Sequence, residues 1–328
     1  MIRIHRRRFG ALGLAVLAFA SAPAFAQGQW PTGKPITWVV PYPPGGTTDI
    51  LGRAIAQRLG TSLGTTVIVD NKAGATGTIG SAFVARAAPD GYTLLGTSIG
   101  PQAIVPNLLP KMQYDPVKAF APVSLIGTIP HVLIVGANQP FRTVADLVAQ
   151  AKAHPGELSF ASGGNGTVLQ MQGELLRLQT GAKMTHVPYK GDTPAIQDVL
   201  AGHATFMFAP VAAALPHIQS GNLRALAVTS ATRLKALPDV PTMGQAGFKD
   251  FVVEQWQAVY APAGTPAPVV QRLHDDVVRH LKDPELIAMA DKLGVTLVAS
   301  TPQQLADTQK ADLAKWAQVI KDAGVKPD

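Results

Sequence analysis

The sequence predicts an α/β fold with mainly parallel sheets, divided between two lobes. Short apolar runs rich in β-branched residues alternate along the chain with amphipathic runs at helical spacing, which is typical of α/β folds. A chain of 328 residues is longer than one ordinary domain, so two lobes are expected. Its residues are 47% hydrophobic but only 6% aromatic, which indicates a core built largely of aliphatic side chains.

The first predicted unit begins with a strand at 36–40, whose apolar and β-branched residues suit a buried strand. The following helix places apolar residues on one face from Ile50 to Leu59. The alternation continues with a strand at 66–69, a helix at 78–87 and a strand at 92–95. The proline-rich residues 101–122 are predicted to be an ordered connection.

The second predicted unit repeats this alternation, and a helical region follows it. Its elements are a strand at 132–135, a helix at 144–154, a strand at 158–161, and helices at 168–178 and 195–200. Three later helices are predicted to begin at Thr265-Pro266, Asp283-Pro284 and Thr301-Pro302, because a capping residue followed by proline is a helix-start signal.

One corner between a strand and a helix carries most of the functional information. Residues 41–49 read PYPPGGTTD, so that Gly45 and Gly46 lie where the strand turns into the helix. The side chains of Thr47, Thr48 and Asp49 are predicted to cap this helix. Such a corner directs unpaired N–H groups and the positive end of a helix dipole into a cleft, where an anion can bind. The alternative is an ordinary strand-to-helix turn.

Two later corners repeat this arrangement of a strand, glycines and hydroxyl-bearing residues. They read SGGNGT at 162–167 and VPYKGDTP at 187–194, and in the second Thr193 is the predicted cap and Pro194 the first helical residue. In open α/β sheets, ligands bind outside the carboxyl ends of the strands, where such corners lie. The three corners together predict a ligand-binding cleft.

The first 26 residues are predicted to be a signal peptide. Four arginines precede an apolar stretch at 11–20, and the small residues at 24–26 fit a cleavage site after Ala26. The run RRRF also resembles a twin-arginine signal, so both export routes stay open. Cleavage would lower the formal net charge from +7 to about +3. No basic run with interleaved aromatic residues follows, so nucleic acid binding is not expected.

A serine hydrolase is a weaker alternative. Residues 96–100 read GTSIG, which fits the nucleophile elbow of these enzymes around Ser98. The elbow needs a helix directly after the serine, and the prolines at 101, 106 and 110 argue against one. The favoured interpretation is a loop at the end of a strand, whose Thr97 and Ser98 hydroxyls can touch a ligand.

No metal site, cofactor or catalytic dyad is predicted. The chain has no cysteine, and its histidines are scattered without the spacing of metal ligands. Asp275 and Asp276, beside arginines on one helix, are expected to form a solvated charged face. Asp49 and Arg53 are expected to form an ion pair within the first helix, and Asp49 could also line the cleft.

These segments together resemble the substrate-binding receptors of tripartite tricarboxylate transporters, the Bug receptor family. The resemblance covers essentially the whole chain after the signal peptide and is carried by PYPPGGTTDI (41–50), NKAG (71–74) with Gly77, PDGYTL (89–94), FAPVS (120–124), VPYKG (187–191), LAVTS (226–230), LPDVPT (237–242) and APAGTP (261–266). The sequence departs from the family at Asp70, Thr76 and Ala209-Pro210, where glutamate, glycine and a polar or acidic residue are more usual.

The resemblance implies a type II periplasmic binding protein with two α/β lobes, a ligand cleft and two crossover connections. Lobe 1 is expected at 27–130 and 253–328, and lobe 2 at 131–252. The implied function is capture, without turnover, of a small carboxylate or related anion. The implied partners are the permease subunits of a tripartite tricarboxylate transporter or a sensor protein, and the protein is expected to be a monomer.

The implied ligand contacts come from both lobes. Lobe 1 is expected to supply Tyr42, Gly45, Gly46, Thr47, Thr48, Asp49 and Ser98. Lobe 2 is expected to supply Ser162, Gly164, Asn165, Gly166, Thr167, Tyr189, Gly191, Asp192 and Phe208.

Overall fold

The structure, a computed structural model, describes residues 30–326. The predicted signal peptide and its cleavage site lie outside the described residues. None of the helices within 30–326 combines the length and the apolar character needed to cross a membrane.

The described residues form two β-sheets with helices packed against them. The strands are β1 (Ile36–Val40), β2 (Val67–Asn71), β3 (Thr93–Ser98), β4 (Phe120–Ile129), β5 (His131–Gly136), β6 (Ser159–Ser162), β7 (Thr185–Pro188), β8 (Phe206–Pro210), β9 (Leu223–Val228), β10 (Gln255–Pro262) and β11 (Thr296–Leu297). The α-helices are α1 (Thr47–Leu63), α2 (Thr78–Ala85), α3 (Val144–Ala153), α4 (Val168–Thr180), α5 (Asp192–Ala201), α6 (Val211–Gln219), α7 (Ala267–His280), α8 (Pro284–Lys292) and α9 (Pro302–Ala323).

Each sheet belongs to one lobe. The sheet of the first lobe has the strand order β11-β4-β10-β3-β1-β2, and that of the second lobe β7-β6-β8-β5-β9. The chain passes from the first sheet to the second between β4 and β5, through Pro130 alone, and returns through residues 229–254 between β9 and β10. Two crossover connections therefore join the lobes.

The sheets are mixed rather than mainly parallel. The strands β1, β2 and β3 pair in parallel, as do β6, β7 and β8, but β10 pairs antiparallel with β3 and β4, and β5 pairs antiparallel with β8 and β9. The antiparallel pairs arise because β5 and β10 each follow a crossover from the other lobe. A strand that enters a sheet from the other lobe starts at the edge where the parallel strands end, and so it must run in the opposite direction.

Of the three predicted C-terminal helices, α8 and α9 begin where the sequence predicts, whereas α7 begins at Ala267 with Pro266 as its N-cap and no side-chain cap. Asp283 and Thr301 cap α8 and α9 with their side chains, and Thr301 forms a full capping box with Gln304. The expectation of a solvated charged face on α7 is wrong for Asp276, which is fully buried and paired with Arg272 and Arg279. The reason is that Asp276 lies on the side of α7 that packs against the first lobe, beside the buried Leu273 and Val277.

The last helix, α9, packs against both lobes. It contacts β4 of the first lobe and α4 of the second. The Arg177 guanidinium on α4 donates a 2.7 Å hydrogen bond to the carbonyl of Ala323 at its C-terminus, where the helix dipole favours a cation. The crossovers and α9 thus place the two lobes next to each other.

Candidate functional site

The carboxyl ends of the parallel strands of both sheets face the crossovers. In the first sheet, Ser98 at the end of β3 is paired with Gln257, and Ile129 at the end of β4 with Gln255. In the second sheet, His131 at the start of β5 is paired with Pro210, the last residue of β8. Because only Pro130 separates β4 from β5, these two edges adjoin. This is the position at which ligands bind in open α/β folds.

The corner at 162–167 of the second lobe contacts the first lobe. A Cβ atom added to Gly166 of the second lobe would lie 3.2 Å from Cδ1 of Leu108 and 3.7 Å from Cγ2 of Val105, which follow β3 in the first lobe. The corner at 162–167 is therefore next to the chain that leaves Ser98.

The corner at 41–49 presents an open helix N-terminus. The N-cap of α1 is Gly46, and no side chain caps this helix. A Cβ added to Gly46 would find no atom within 4 Å, and the φ of Gly46 is −79°, so the residue is neither crowded nor strained. The first amides of α1 and the positive end of its dipole thus face open space.

The predicted caps of α1 have other partners, and this prediction is wrong. Thr47 is the first helical residue rather than the cap, and the Thr48 hydroxyl donates a 2.8 Å hydrogen bond to Oε1 of Gln257. The carboxylate of Asp49 accepts a 2.9 Å hydrogen bond from the Gly45 N–H, outside the helix. The helix starts earlier than the pattern indicates because Gly46, which lacks a side chain, takes the cap position.

Asp49 organises the corner. It is 3% exposed, forms the predicted ion pair with Arg53 at 3.0 Å, and accepts a 2.9 Å hydrogen bond from Nδ2 of Asn71. Burial would raise the pKa of Asp49, but the hydrogen bonds from Arg53, Gly45 and Asn71 outweigh burial and hold this pKa below its ordinary value of 3.8. Asp49 is therefore an ionised acceptor whose role is to position the loop.

Tyr42, within this corner, and Ser98, at the end of β3, are hydrogen-bonded to each other. Their hydroxyls are 2.7 Å apart, and burial raises the pKa of Tyr42 to about 12.

The expectation that no helix follows Ser98 is wrong, because a π-helical turn, Gly100–Ile104, and a 3-10 turn, Val105–Asn107, come directly after it. Pro101 and Pro106 lie in the first turns of these two segments, where a missing N–H is tolerated, and Pro110 follows both. The bonding partner of Ser98 is a neutral phenol, which cannot serve as the general base of a hydrolase.

In the second lobe, hydrogen bonds among its own residues hold the corner at 162–167 in shape. The Ser162 hydroxyl lies 2.7 Å from Nε2 of His186 and donates to the carbonyl of Gly164 at 3.1 Å. Thr167 caps α4 by accepting from the N–H of Gln170 at 3.3 Å, and its hydroxyl donates to the same carbonyl at 2.7 Å. Gly164 and Gly166 have φ of 131° and 73°, values that favour glycine. Asn165 lies between them.

The corner at 189–192 adjoins the previous one. The N–H of Gly191 donates a 3.1 Å hydrogen bond to the carbonyl of Gly163. The prediction that Thr193 caps α5 is wrong, because α5 begins at Asp192 with Gly191 as its N-cap and no side-chain cap. The reason is the φ of Gly191, 112°, which turns the chain two residues earlier than a threonine cap would. Burial raises the pKa of Asp192, whose Oδ1 lies against Gly163.

Two predicted ligand contacts are engaged with other side chains. The Tyr189 hydroxyl donates a 2.6 Å hydrogen bond to Asp198 on α5. Phe208 is 1% exposed, and its ring stacks on Phe251 at 5.3 Å and packs edge-on against Phe206. Phe208 therefore belongs to the core of the second lobe.

Sequence reasoning missed Gln257, Asn71 and His186, each of which bonds to a residue of a predicted corner. Gln257 has a recognisable signal, because it is a polar residue between the apolar Trp256 and Ala258 of β10. Asn71 and His186 carry no such signal, since only the sheet pairing brings them to the corners. Among residues 30–326, no group of three or more histidine or acidic side chains is arranged to hold a metal ion.

Comparisons with known proteins agree with this architecture. The family model of the tripartite tricarboxylate transporter family receptor, TctC, matches residues 51–325. The chain is 37% identical to BugT of Bordetella pertussis over 321 residues, which cover 98% of each chain.

Solved structures give the same result. A periplasmic binding protein, BugD, is 35% identical, with a TM-score of 0.75 over 90% of this chain and 99% of its own. The R. palustris protein Rpa4515, solved with adipate, is 34% identical, with a TM-score of 0.79 over 91% of this chain and 100% of its own. MatC from Rhodopseudomonas palustris, solved with bound malate, is 31% identical, with a TM-score of 0.75 over 87% and 98%. This chain therefore belongs to the tripartite tricarboxylate transporter receptor family, whose Bug members are periplasmic solute-binding proteins and not enzymes.

Proposed function

We propose that this protein captures a small carboxylate or related anion between its two lobes. The observation that carries the proposal is the uncapped N-terminus of α1, which opens at Gly46 toward the edge where the second lobe adjoins the first. Free amides and the positive end of a helix dipole stabilise an anion at that point without a charged side chain. The adipate and malate bound to two relatives support a carboxylate as the ligand.

The ligand is held by groups from both lobes. From the first lobe we propose Tyr42, Gly45, Gly46, Thr47, Thr48 and Ser98, with Asp49 positioning their loop. From the second lobe we propose Ser162, Gly164, Asn165, Gly166, Thr167, Gly191 and Asp192, with Tyr189 at the margin. We leave out Phe208, because its ring is buried in the core. Since contacts to both lobes form together only when the cleft is closed, ligand binding favours the closed state.

The domain boundaries and cellular context belong to the same proposal. Lobe 1 comprises residues 27–130 and 253–328, and lobe 2 comprises 131–252. Residues 1–26 are a signal peptide cleaved after Ala26, and the mature protein works in the periplasm as a monomer. It delivers its ligand to the membrane permease subunits of a tripartite tricarboxylate transporter.

A thermal-shift screen tests the ligand class. The purified protein is melted with succinate, malate, adipate, citrate and benzoate, and with neutral sugars and amides as controls. A carboxylate at a hundred times its Kd stabilises the folded state by about 2.7 kcal/mol, which gives a clear rise in Tm. Stabilisation by a sugar or an amide, with none by any carboxylate, would contradict the proposal.

A further inference from the structure

The strand β10 carries a fully buried polar side chain, Gln257, whereas the other glutamine on the same face, Gln255, is the first residue of the strand and is only partly buried. Successive residues of a strand face opposite sides, so Gln257 shares a face with Val259 and Ala261. Both belong to the apolar cluster under α1, and Gln257 itself is 0% exposed. A buried amide is unfavourable unless its polar atoms have partners, so this glutamine needs an explanation.

Only half of this amide is satisfied within the described residues. Oε1 of Gln257 accepts a 2.8 Å hydrogen bond from the Thr48 hydroxyl, whereas Nε2 is buried and has no hydrogen-bond partner. The Thr48 hydroxyl can donate or accept, so it can hold either end of the amide. An anion at the N-terminus of α1 selects the orientation that turns the NH₂ group toward it.

The free NH₂ group lies among the residues of the proposed site. Thr48 is the second residue of α1, whose first turn has no side-chain cap. Gln257 is also paired across the sheet with Ser98, and directly opposite residues have Cβ atoms about 4.5–5.5 Å apart. Gln257 is thus bonded to the first turn of α1 and is the cross-strand partner of Ser98, whose hydroxyl is bonded to Tyr42.

We propose that Gln257 is a specificity-determining contact that donates from Nε2 to an anionic oxygen of the ligand at the α1 N-terminus. This inference rests on the proposed function. An NH₂ group at this position favours an ionised carboxylate over a protonated acid or an amide NH, because it offers a donor and no acceptor. The Thr48 hydroxyl positions the donor.

Three variants test the proposal, with the most stabilising carboxylate of the panel as the calorimetric probe. Gln257→Met keeps the size of the side chain and removes the donor. Gln257→Glu keeps its shape and puts a negative acceptor there. Thr48→Val removes the hydroxyl that holds the amide, together with any contact of that hydroxyl to the ligand. Gln271→Met, a substitution on the surface of α7, is the matched control.

We expect Gln257→Met to weaken binding about 10-fold or more, the scale of one hydrogen bond to a charged group, and Gln257→Glu to weaken it further. Thr48→Val should have a smaller effect, and Gln271→Met none. The affinity gap between wild type and Gln257→Glu should narrow as the pH falls from 8 to 5.5, because a protonated glutamate regains a donor. A purely structural role predicts no such narrowing.

The results separate this inference from the proposed function. If Gln257→Met binds the ligand as tightly as wild type, the proposed hydrogen bond from Gln257 to the ligand is wrong. It is also wrong if Gln257→Met, Gln257→Glu and Thr48→Val lose the same amount of affinity, because the glutamine would then act only through Thr48. Melting curves of the unliganded variants identify misfolding, and Gln257→Leu replaces Gln257→Met if that variant does not fold. If no carboxylate binds wild type, the proposed function fails, and this inference fails with it.

Discussion

The hydroxyl of Tyr42 lies 2.7 Å from that of Ser98, although 56 residues separate them in the chain. Tyr42 follows β1 and Ser98 ends β3, and these two strands are parallel neighbours. The bond therefore joins the ends of two strands at the edge where the ligand is proposed to bind. It also engages the serine with a phenol whose pKa is raised to about 12 by burial.

We predict that Ser98→Ala leaves the protein folded and changes ligand affinity by about 1 kcal/mol at most, the scale of one neutral hydrogen bond. Because the two hydroxyls share this bond, Tyr42→Phe should change ligand affinity by a similar amount. The loss of affinity in the double variant should not exceed the sum of the two single losses. Calorimetry on the three variants measures this. An esterase or amidase activity that is present in wild type and absent from Ser98→Ala would contradict the receptor function.

Gly46→Val is predicted to weaken ligand binding by at least about 3 kcal/mol, because a branched side chain would occupy the space in front of the α1 amides and displace charge-assisted hydrogen bonds. Folding should change little, since the φ of Gly46 is negative and an added Cβ meets no atom within 4 Å. Calorimetry and an unliganded melting curve separate the two effects. Gly244→Val, in a surface turn, is the matched control, and retained affinity in Gly46→Val would mean that this corner is only a turn.

Phe208→Ala is predicted to lower the free energy of unfolding by about 3–5 kcal/mol, the usual cost of removing a buried phenylalanine. The ring is 1% exposed and stacked on Phe251, so ligand affinity of the folded variant should change by less than about 3-fold. Phe83→Ala, which alters a 43% exposed ring, should cost about 0.5 kcal/mol or less. Urea unfolding measures the free energy of unfolding, and calorimetry measures ligand affinity. A large loss of affinity without a loss of stability would mean that Phe208 contacts the ligand.

Stability is predicted to fall as the pH drops below about 6.5, through His131. Burial lowers the pKa of His131 to about 3, against which the hydrogen bond from Gln172 acts only weakly. Since the folded pKa is below the unfolded one, the unfolded state binds the extra proton between these values, and stability rises with pH there. The contribution is about 1.4 kcal/mol per pH unit, or about 2 kcal/mol between pH 6.5 and 5.

Urea unfolding at pH 7 and pH 5 measures this dependence. His131→Gln keeps a polar side chain but has no proton to gain, so the fall in stability between the two pH values should be smaller by about 2 kcal/mol. An unchanged pH dependence in the variant would show that His131 is not responsible.

The local sequence was sufficient for most of the helices and for the positions of the three corners. Strand β1 occupies the predicted residues, and α8 and α9 begin at the predicted caps, because capping, proline placement and apolar spacing act over a few residues. The strands β4, β8, β9 and β10 were not predicted. Turn residues flank some of them, such as Gly221-Asn222 before β9 and Gly264 after β10, but which residues form strands depends on the neighbouring strands that complete their hydrogen bonds.

The sequence by itself determined which residues form the glycine corners and the family to which they point, since both depend on short contiguous motifs. The tertiary structure alone decided what each side chain does there. Phe208 and Asp276 are buried in it. The Thr48 hydroxyl bonds to Gln257 instead of capping a helix, and Gln257 is paired with Ser98 across the sheet. These outcomes depend on sheet register and crossovers between residues up to 209 positions apart, for which local propensity contains no information.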